Sequence, residues 1–463
     1  MFHRYRQSVT LLVAFILGWS WDLLFYGQAL GLSALLFVLL LLMALFGLGW
    51  MQSVRPTWRN LWLLVPLIFF AAMILARANA FVTFLNVVAC LALLGLLAHF
   101  YAAGRVERLG LVGYPSVLLQ VVGNAFVRQA PLVSASVDLQ TVRQHSRRNL
   151  LPVLRGLLLA TPVLAIFTCL LASADLVFAS YVEDVLHLEF LADLMEWLWR
   201  GIIILAVAWF VAGGLVYALS RNPASDETSA LEKALTPLAG FISIGFVETV
   251  IILTLVDLLF LVFVWIQFAY LFGGQVNISI EGYTYAEYAR RGFFELLAVS
   301  LLTLGLILSL HRLVRCQTGW QRAIFKGLSS LMVALVVVIL TSAFQRLLLY
   351  EIAYGYTELR LYSHVFMIWL AATFVWFLVT LWLQPSRFAV GAFGLALGFL
   401  ITLNIINPDA FIAEQNLARY ADAFIADPNL DRSQASDKLD TYYLTTLSDD
   451  VVPVLVLALN QVS

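Results

Sequence analysis

Residues 31–50 read GLSALLFVLLLLMALFGLGW, twenty positions without one charged side chain. About 20 apolar residues is the length an α-helix needs to cross the hydrocarbon core of a bilayer. The run is too long for a strand and lacks the two-residue alternation of an outer-membrane barrel. Working outward from it, ten more segments of the same character appear. The eleven expected spans are 9–26, 31–50, 60–76, 80–102, 150–179, 196–219, 239–273, 291–311, 326–349, 361–384 and 388–405. Helices satisfy their own backbone hydrogen bonds, so an all-α, polytopic transmembrane helical bundle is the fold these segments imply.

Composition agrees. Of the 463 residues, 62% are hydrophobic and only 12% charged, whereas soluble domains carry roughly 25% charged side chains. That density excludes a soluble enzyme, a nucleic-acid binder and a disordered chain, and makes the lipid bilayer the first partner. Cys90, Cys169 and Cys316 are far apart with no C-x-x-C. They form neither a disulfide framework nor a metal site, and no cofactor is implied.

Basic residues give the direction. Loops rich in Lys and Arg stay cytoplasmic. With the N-terminus inside, cytoplasmic segments hold eighteen of the 27 basic residues, among them Arg55, Arg59, Arg105, Arg147, Arg312 and Lys326. The opposite side holds six before the tail: Arg77, Arg200, Arg290, Arg291, Arg346 and Arg360. The expectation is a cytoplasmic N-terminus and an extracytoplasmic C-terminus. Arg4 and Arg6 ahead of the first apolar run resemble a signal peptide, but the run continues through Trp19 without a small-x-small site, so it reads as an uncleaved span.

Two domains follow: 1–405, the transmembrane helical domain, and 406–463, a small acidic helical tail. Between spans four and five, residues 104–149 read as a cytoplasmic loop with an interfacial or re-entrant helix near 109–133, interrupted by Gly113, Pro115 and Gly123. The outer loop from Ser180 to Trp197 carries Glu183, Asp184, Glu189, Asp193 and Glu196 and no basic residue. Acidic residues accumulate on the translocated side, and no D-x-D-x-D spacing marks a cation loop. In the tail, Ala413, Leu417, Ala421 and Phe424 keep helical spacing, and Ser448 is placed to cap a last helix. So short a segment seldom folds alone, which leaves packing on the bundle, a protein partner, or the start of a longer domain; packing is favoured.

A charge at mid-bilayer costs about 2.5–3.5 kcal/mol on insertion scales, so such residues are few and purposeful. Asp257 is the deepest, with Glu248 and Gln267 on the same span as a candidate intramembrane polar site. Nine residues apart, Glu248 and Asp257 point to opposite sides of a helix. Asp22, Asp175 and Asp257 each begin an Asp-Leu-(Leu/Val)-Phe string, which chance explains as well as a repeat does. A second candidate is an outer-leaflet charged site built from Glu287, Arg290, Arg291, Glu295, Glu351 and Arg360. Thr284 and Glu287 have capping-box spacing, and Glu287, Arg291 and Glu295 stack at i, i+4, i+8. Helix starts at an interface explain these strings equally well, Gly355-Tyr-Thr-Glu358 included.

The string Tyr283-Thr-Tyr-Ala-Glu-Tyr-Ala-Arg-Arg-Gly-Phe-Phe-Glu-Leu296 resembles an uncharacterised bacterial membrane family, domain of unknown function 4173. Arg346–Arg360, Asn407-Pro-Asp409 and Leu439–Leu444 carry the same resemblance, as do Val256–Phe260 and Tyr270–Gly274, mostly over residues 250–450. It implies a multi-pass protein of the bacterial inner membrane and supplies no activity or catalytic residues. Three functions remain open: transport or export of a small solute, favoured by Asp257 in mid-span; a non-catalytic partner or sensor using the outer tail; and an enzyme acting on lipid-linked substrates at the outer face. The enzyme has least support, since HExxH, GxSxG and P-loop motifs are absent, His99, His145, His187 and His311 stand isolated, and His364 near the start of span ten reads as interfacial.

Overall fold

The computed structural model describes residues 2–128, 160, 167–168, 171, 189–220, 244–272, 293–314, 317–426 and 440–462. Apart from residues 160, 167–168 and 171, the span expected over 150–179 lies outside them, as do Glu183, Asp184, the string at 282–292 and the polar stretch 427–437. Among the described residues the fold is all-α, with fourteen helices: α1 (Phe2–Phe25), α2 (Leu32–Met51), α3 (Leu64–Ala76), α4 (Ala80–His99), α5 (Gly113–Val127), α6 (Glu189–Ser220) and α7 (Phe246–Phe272). Then come α8 (Phe293–Leu313), α9 (Gly319–Tyr354), α10 (Glu358–Trp382), α11 (Phe388–Ile406), α12 (Pro408–Ala426), α13 (Thr441–Thr446) and α14 (Val452–Val462). Among the described residues, ten segments are long and apolar enough to cross a membrane. They coincide with ten of the eleven spans read from hydropathy.

Boundaries differ where local hydrogen bonds overrule the apolar run. Within the expected span 239–273, Ile244 and Gly245 are not helical and α7 begins at Phe246: the Glu248 carboxylate accepts from the Gly245 backbone N–H, and Thr249 Oγ1 donates to the Gly245 carbonyl (2.9 Å). At 27 residues the helix is about 40 Å long. Helix α9 runs further than expected at both ends; at its start Thr318 and Gln321 close a capping box (Thr318 side chain with Gln321 N–H, Gln321 side chain with Thr318 N–H). The acidic stretch Glu189–Glu196, read as loop, is the first part of α6. Residues 113–127 form a helix, as expected of the 109–133 region.

The described residues divide into two compact units. In the first (Met1–Trp58, Leu97–Ala103, Leu119–Ser225), α1 packs along α6 with α2 beside it. Gly18 makes the α1–α6 approach feasible, since a Cβ there would meet the Ile204 carbonyl. One helical turn from the end of α1, buried Asp22 accepts from Arg200 Nη2 (2.7 Å). The Arg200 guanidinium also lies over the rings of Tyr26 (4.3 Å) and Trp197 (5.1 Å), and Tyr26 Oη donates to Glu196 (2.9 Å). The same unit contains a buried contact between His99 Nδ1 and Tyr217 Oη (2.7 Å).

The second unit (Arg59–Leu96, Gly104–Leu118, Asp226–Ser463) is organised around α9, which packs on α7, α8 and α10. Its core interleaves Leu253 and Phe260 of α7, Ile307 of α8, Met332, Val336 and Ile339 of α9, and Met367 and Phe374 of α10. The positions follow i, i+3, i+4, i+7, the stripe a packed helix presents. Buried Ser300 and Thr303 return their hydroxyls to carbonyls four residues back in α8 (2.9 and 2.7 Å), which keeps them satisfied in an apolar setting.

Helices α10 and α11 pair closely through a small-residue rule common in membranes. Trp369 and Trp376, seven apart on α10, lie over Gly398 and Gly391, seven apart on α11; a Cβ at either glycine would overlap an indole. The indole N–H groups donate to Thr402 Oγ1 (3.2 Å) and the Phe388 carbonyl (3.3 Å). Gly398→Ala is expected to lower stability in detergent by about 1–3 kcal/mol, the usual cost of overpacking. Thermal unfolding measures this, and a second substitution, Trp369→Leu, should recover part of the loss.

Candidate functional site

Two polar constructions in the second unit stand apart from its apolar core. The first is a hub on Asn79, in the short link between α3 and α4. Asn immediately before an apolar run is a helix N-cap, and Asn79 Oδ1 accepts from Val82 N–H (2.9 Å). Its Nδ2 points the other way, to Glu358 Oε1 (2.7 Å) and to both oxygens of Asp409 (3.1 and 3.0 Å). Tyr362 Oη donates to Asn79 Oδ1 (3.2 Å). Asp409 is fully buried and also accepts from the backbone N–H (3.1 Å) and hydroxyl of Ser448. Glu358 N–H donates to Tyr443 Oη (2.9 Å), and burial holds the Tyr443 phenol above the ordinary tyrosine range. The expected Ser448 cap is therefore diverted: its side chain serves Asp409 instead of the helix that follows.

Beside the hub, Arg77 covers the end of α11. Its Nε and Nη2 donate to the Asn404 carbonyl (2.9 and 2.6 Å), a cation on the carbonyl end of a helix. Asn407 takes a left-handed conformation (φ 53°) that ends α11; its amide accepts from Arg77 Nη1 (3.0 Å) and donates to Asp450 (3.2 Å). One turn deeper, the buried amides of Asn86 and Asn404 exchange both hydrogen bonds (2.8 and 2.7 Å). Residues from α4, α10, α11 and three tail elements thus meet where α3 and α11 end and α4 and α10 begin.

The second construction lies within the spans. Asp257 is 4% exposed, and among the described residues neither carboxylate oxygen has a hydrogen-bond partner. Helix α7 is held on α9 by the Phe246–Trp320 rings (6.2 Å) near one end and by Gln267 near the other, where Gln267 Oε1 accepts from Ser342 (3.2 Å) and Arg346 (3.1 Å). Asp257 falls midway between these fixed points. Towards the Gln267 end of α9, buried Glu351 Oε1 meets His364 Nδ1 of α10 (3.0 Å), while Glu351 Oε2 and His364 Nε2 have no partner among the described residues. The Phe344 ring lies 4.4 Å from the imidazole. At the opposite end of the spans, an open cavity of about 250 Å³ is lined mostly by apolar groups of α8, α10 and α11, with His311 and Arg312 at its wall.

The residues singled out from sequence fall as follows. Asp257 is a buried mid-span carboxylate, Gln267 bridges α7 to α9, and Glu248 is exposed in the first turn of α7. Glu351 is paired with His364, and Arg360 turns back onto the Gly355 carbonyl and the Tyr350 ring (4.2 Å). Glu295 is exposed on α8. Glu287, Arg290 and Arg291 lie outside the described residues. Asn79, Asn86, Asn404 and His364 were not among the sequence candidates; the signal for Asn79 was its N-cap position, and for the two asparagines a lone amide in an apolar run. Among the described residues, no three His, Cys, Asp or Glu side chains are grouped to hold a metal ion.

A family model described as "Domain of unknown function (DUF4153)" matches residues 64–458. The chain belongs to this family, and not to the similar domain of unknown function 4173 that the motif strings suggest. The match extends well beyond the C-terminal half and takes in Arg77, Asn79, Asp257 and the tail. No similar curated protein and no similar solved structure is found.

Removing the Asp409 carboxylate leaves Asn79 Nδ2 with Glu358 as its acceptor and takes the acceptor from both Ser448 donors, at about 1–3 kcal/mol for each group left unsatisfied. Asp409→Ala should therefore release the tail before the spans unfold. Limited proteolysis in detergent checks this: cleavage between 408 and 462 should accelerate strongly in the variant, with the rest of the chain protected as in the wild type.

Proposed function

We propose that this multi-pass membrane protein moves a small solute across the bilayer, and that Asp257 is the group that binds a coupling proton or cation. The observation that carries the reading is the contrast between two buried aspartates. Asp22 is neutralised by Arg200 and needs no further role than packing. Asp257 is as deeply buried, midway along a membrane-spanning helix, with both oxygens unpartnered among the described residues. A bare carboxylate in such a place is expensive, and a transient cation or proton offsets that cost. Such residues mark ion and proton pathways in membrane proteins. Glu351 and His364, each with one unpartnered buried atom, provide a second protonatable pair on the same helical framework.

The distribution of basic residues supports a cytoplasmic N-terminus. In that orientation the Asn79 hub faces outward and the cavity at His311 and Arg312 faces the cytoplasm. The alternative of a sensor or partner subunit acting through its tail is less favoured, because the tail's polar groups at Asp409, Ser448 and Asp450 are occupied within the chain. An enzyme built on the Glu358–Asp409 carboxylates is disfavoured by the full burial of Asp409, which leaves it no access to a substrate.

Everted membrane vesicles carrying equal amounts of wild-type chain or Asp257→Asn test the proposal. They are energised in a whole-cell metabolite extract, and their contents are profiled by mass spectrometry. At least one solute should accumulate with the wild type and fall to the level of vesicles lacking the protein with the variant. Identical contents at equal expression would overturn the transport reading.

A further inference from the structure

The last described helix, α14, is apolar on every side from Val452 to Leu459, with Asn460 and Gln461 in its final turn. From Val451 to Ser463 the sequence contains no charged residue. One face, with Val451, Val454 and Leu455, packs on Ala413 of α12 and Leu444 of α13. The other carries Val452 (52% exposed), Val456 (49%) and Leu459 (70%) at i, i+4, i+7, with Leu457 (64%) alongside. A helix hydrophobic all round belongs inside a protein core or in hydrocarbon. With 11 residues it is about 16 Å long, roughly half of what crossing a bilayer core requires.

The level at which α14 begins is fixed. Asp450, two residues before it, accepts from the Ala78 backbone N–H (3.2 Å), and Ser448 is tied to Asp409 (3.1 Å). Ala78 lies in the link between the spans Trp58–Ala76 and Ala80–His99. Asp409 follows directly on the span ending at Ile406 and is bridged through Asn79 to Glu358, where another span starts. Four span ends therefore surround the point from which α14 departs, which places it at the membrane boundary. Tyr442, exposed on α13, suits the headgroup level that aromatic residues favour.

We propose that α14 lies in the headgroup–acyl boundary of that leaflet, with Val452, Val456, Leu457 and Leu459 against phospholipid acyl chains. The occupant of this face is the bilayer in which the spans sit. Interfacial helices bury their apolar side about 5–10 Å into this region. Many also draw on basic residues and anionic lipid; α14 has no basic residue, so its attachment rests on apolar contact and is insensitive to lipid charge. The tail is then held twice, by the Asn79 hub and by the membrane. The inference is independent of any transport activity.

The test uses the full chain in phosphatidylcholine vesicles containing a phosphatidylcholine with a photoreactive diazirine near the glycerol end of one acyl chain. After illumination, mass spectrometry should find lipid adducts within residues 452–459, equally at low and high salt. Adducts on the spans with none on α14 would overturn the proposal. In a parallel arm, Leu457→Cys should react slowly with a water-soluble maleimide in vesicles and quickly after the lipid is replaced by short-chain detergent. Rapid labelling in vesicles, or chain-to-chain crosslinks from this cysteine, would show water or a second copy on this face and would equally overturn it.

Discussion

The constraint on which the structure depends is that hydrocarbon offers no hydrogen bonds, so each polar group placed at membrane depth must find a partner inside the chain. Most do. Asn86 and Asn404 satisfy one another across two helices. Ser300, Thr303 and Thr380 return their hydroxyls to their own helices. Asp22 has Arg200, and the Gln267 oxygen accepts from two donors on α9. Asp257 does not conform. Among the described residues Ser329, Glu351 and His364 each leave one buried side-chain atom without a partner, whereas Asp257 leaves both oxygens of its carboxylate so.

The same constraint shapes the link between spans and tail. Where α3 and α11 end and α4 and α10 begin, free backbone groups accumulate, and the chain covers them with Arg77, Asn79 and Asn407. The tail contributes Asp409, Tyr443, Ser448 and Asp450 to that cover. Its attachment is therefore an extension of helix capping, and the tail follows the positions of the span ends rather than forming a separate body.

The spans were legible because twenty apolar residues in a row admit few other readings. What hydropathy cannot register is pairing between distant positions. Asp22 and Asp257 begin near-identical strings, yet one meets Arg200, 178 residues away, and the other has no hydrogen-bond partner among the described residues. Glu351 belonged on paper to a charged outer-leaflet set; its partner in the structure is His364, which looked interfacial. Helix ends were misjudged where capping groups decided them, as at Glu248 and at Thr318 with Gln321. Ser448 illustrates the same limit in reverse. Its sequence position is that of a cap, but a buried carboxylate is a stronger acceptor for its hydroxyl than a helix terminus is a donor.

The central claim is that Asp257 is a proton- or cation-binding carboxyl at the middle of the spans. Dicyclohexylcarbodiimide, an apolar reagent that couples to carboxylic acids in hydrophobic surroundings, tests it most directly in native membranes. The account predicts an adduct mapped to Asp257 that weakens as pH is raised or as the coupling cation is added. Labelling of other membrane carboxyls with Asp257 untouched at every pH would contradict it.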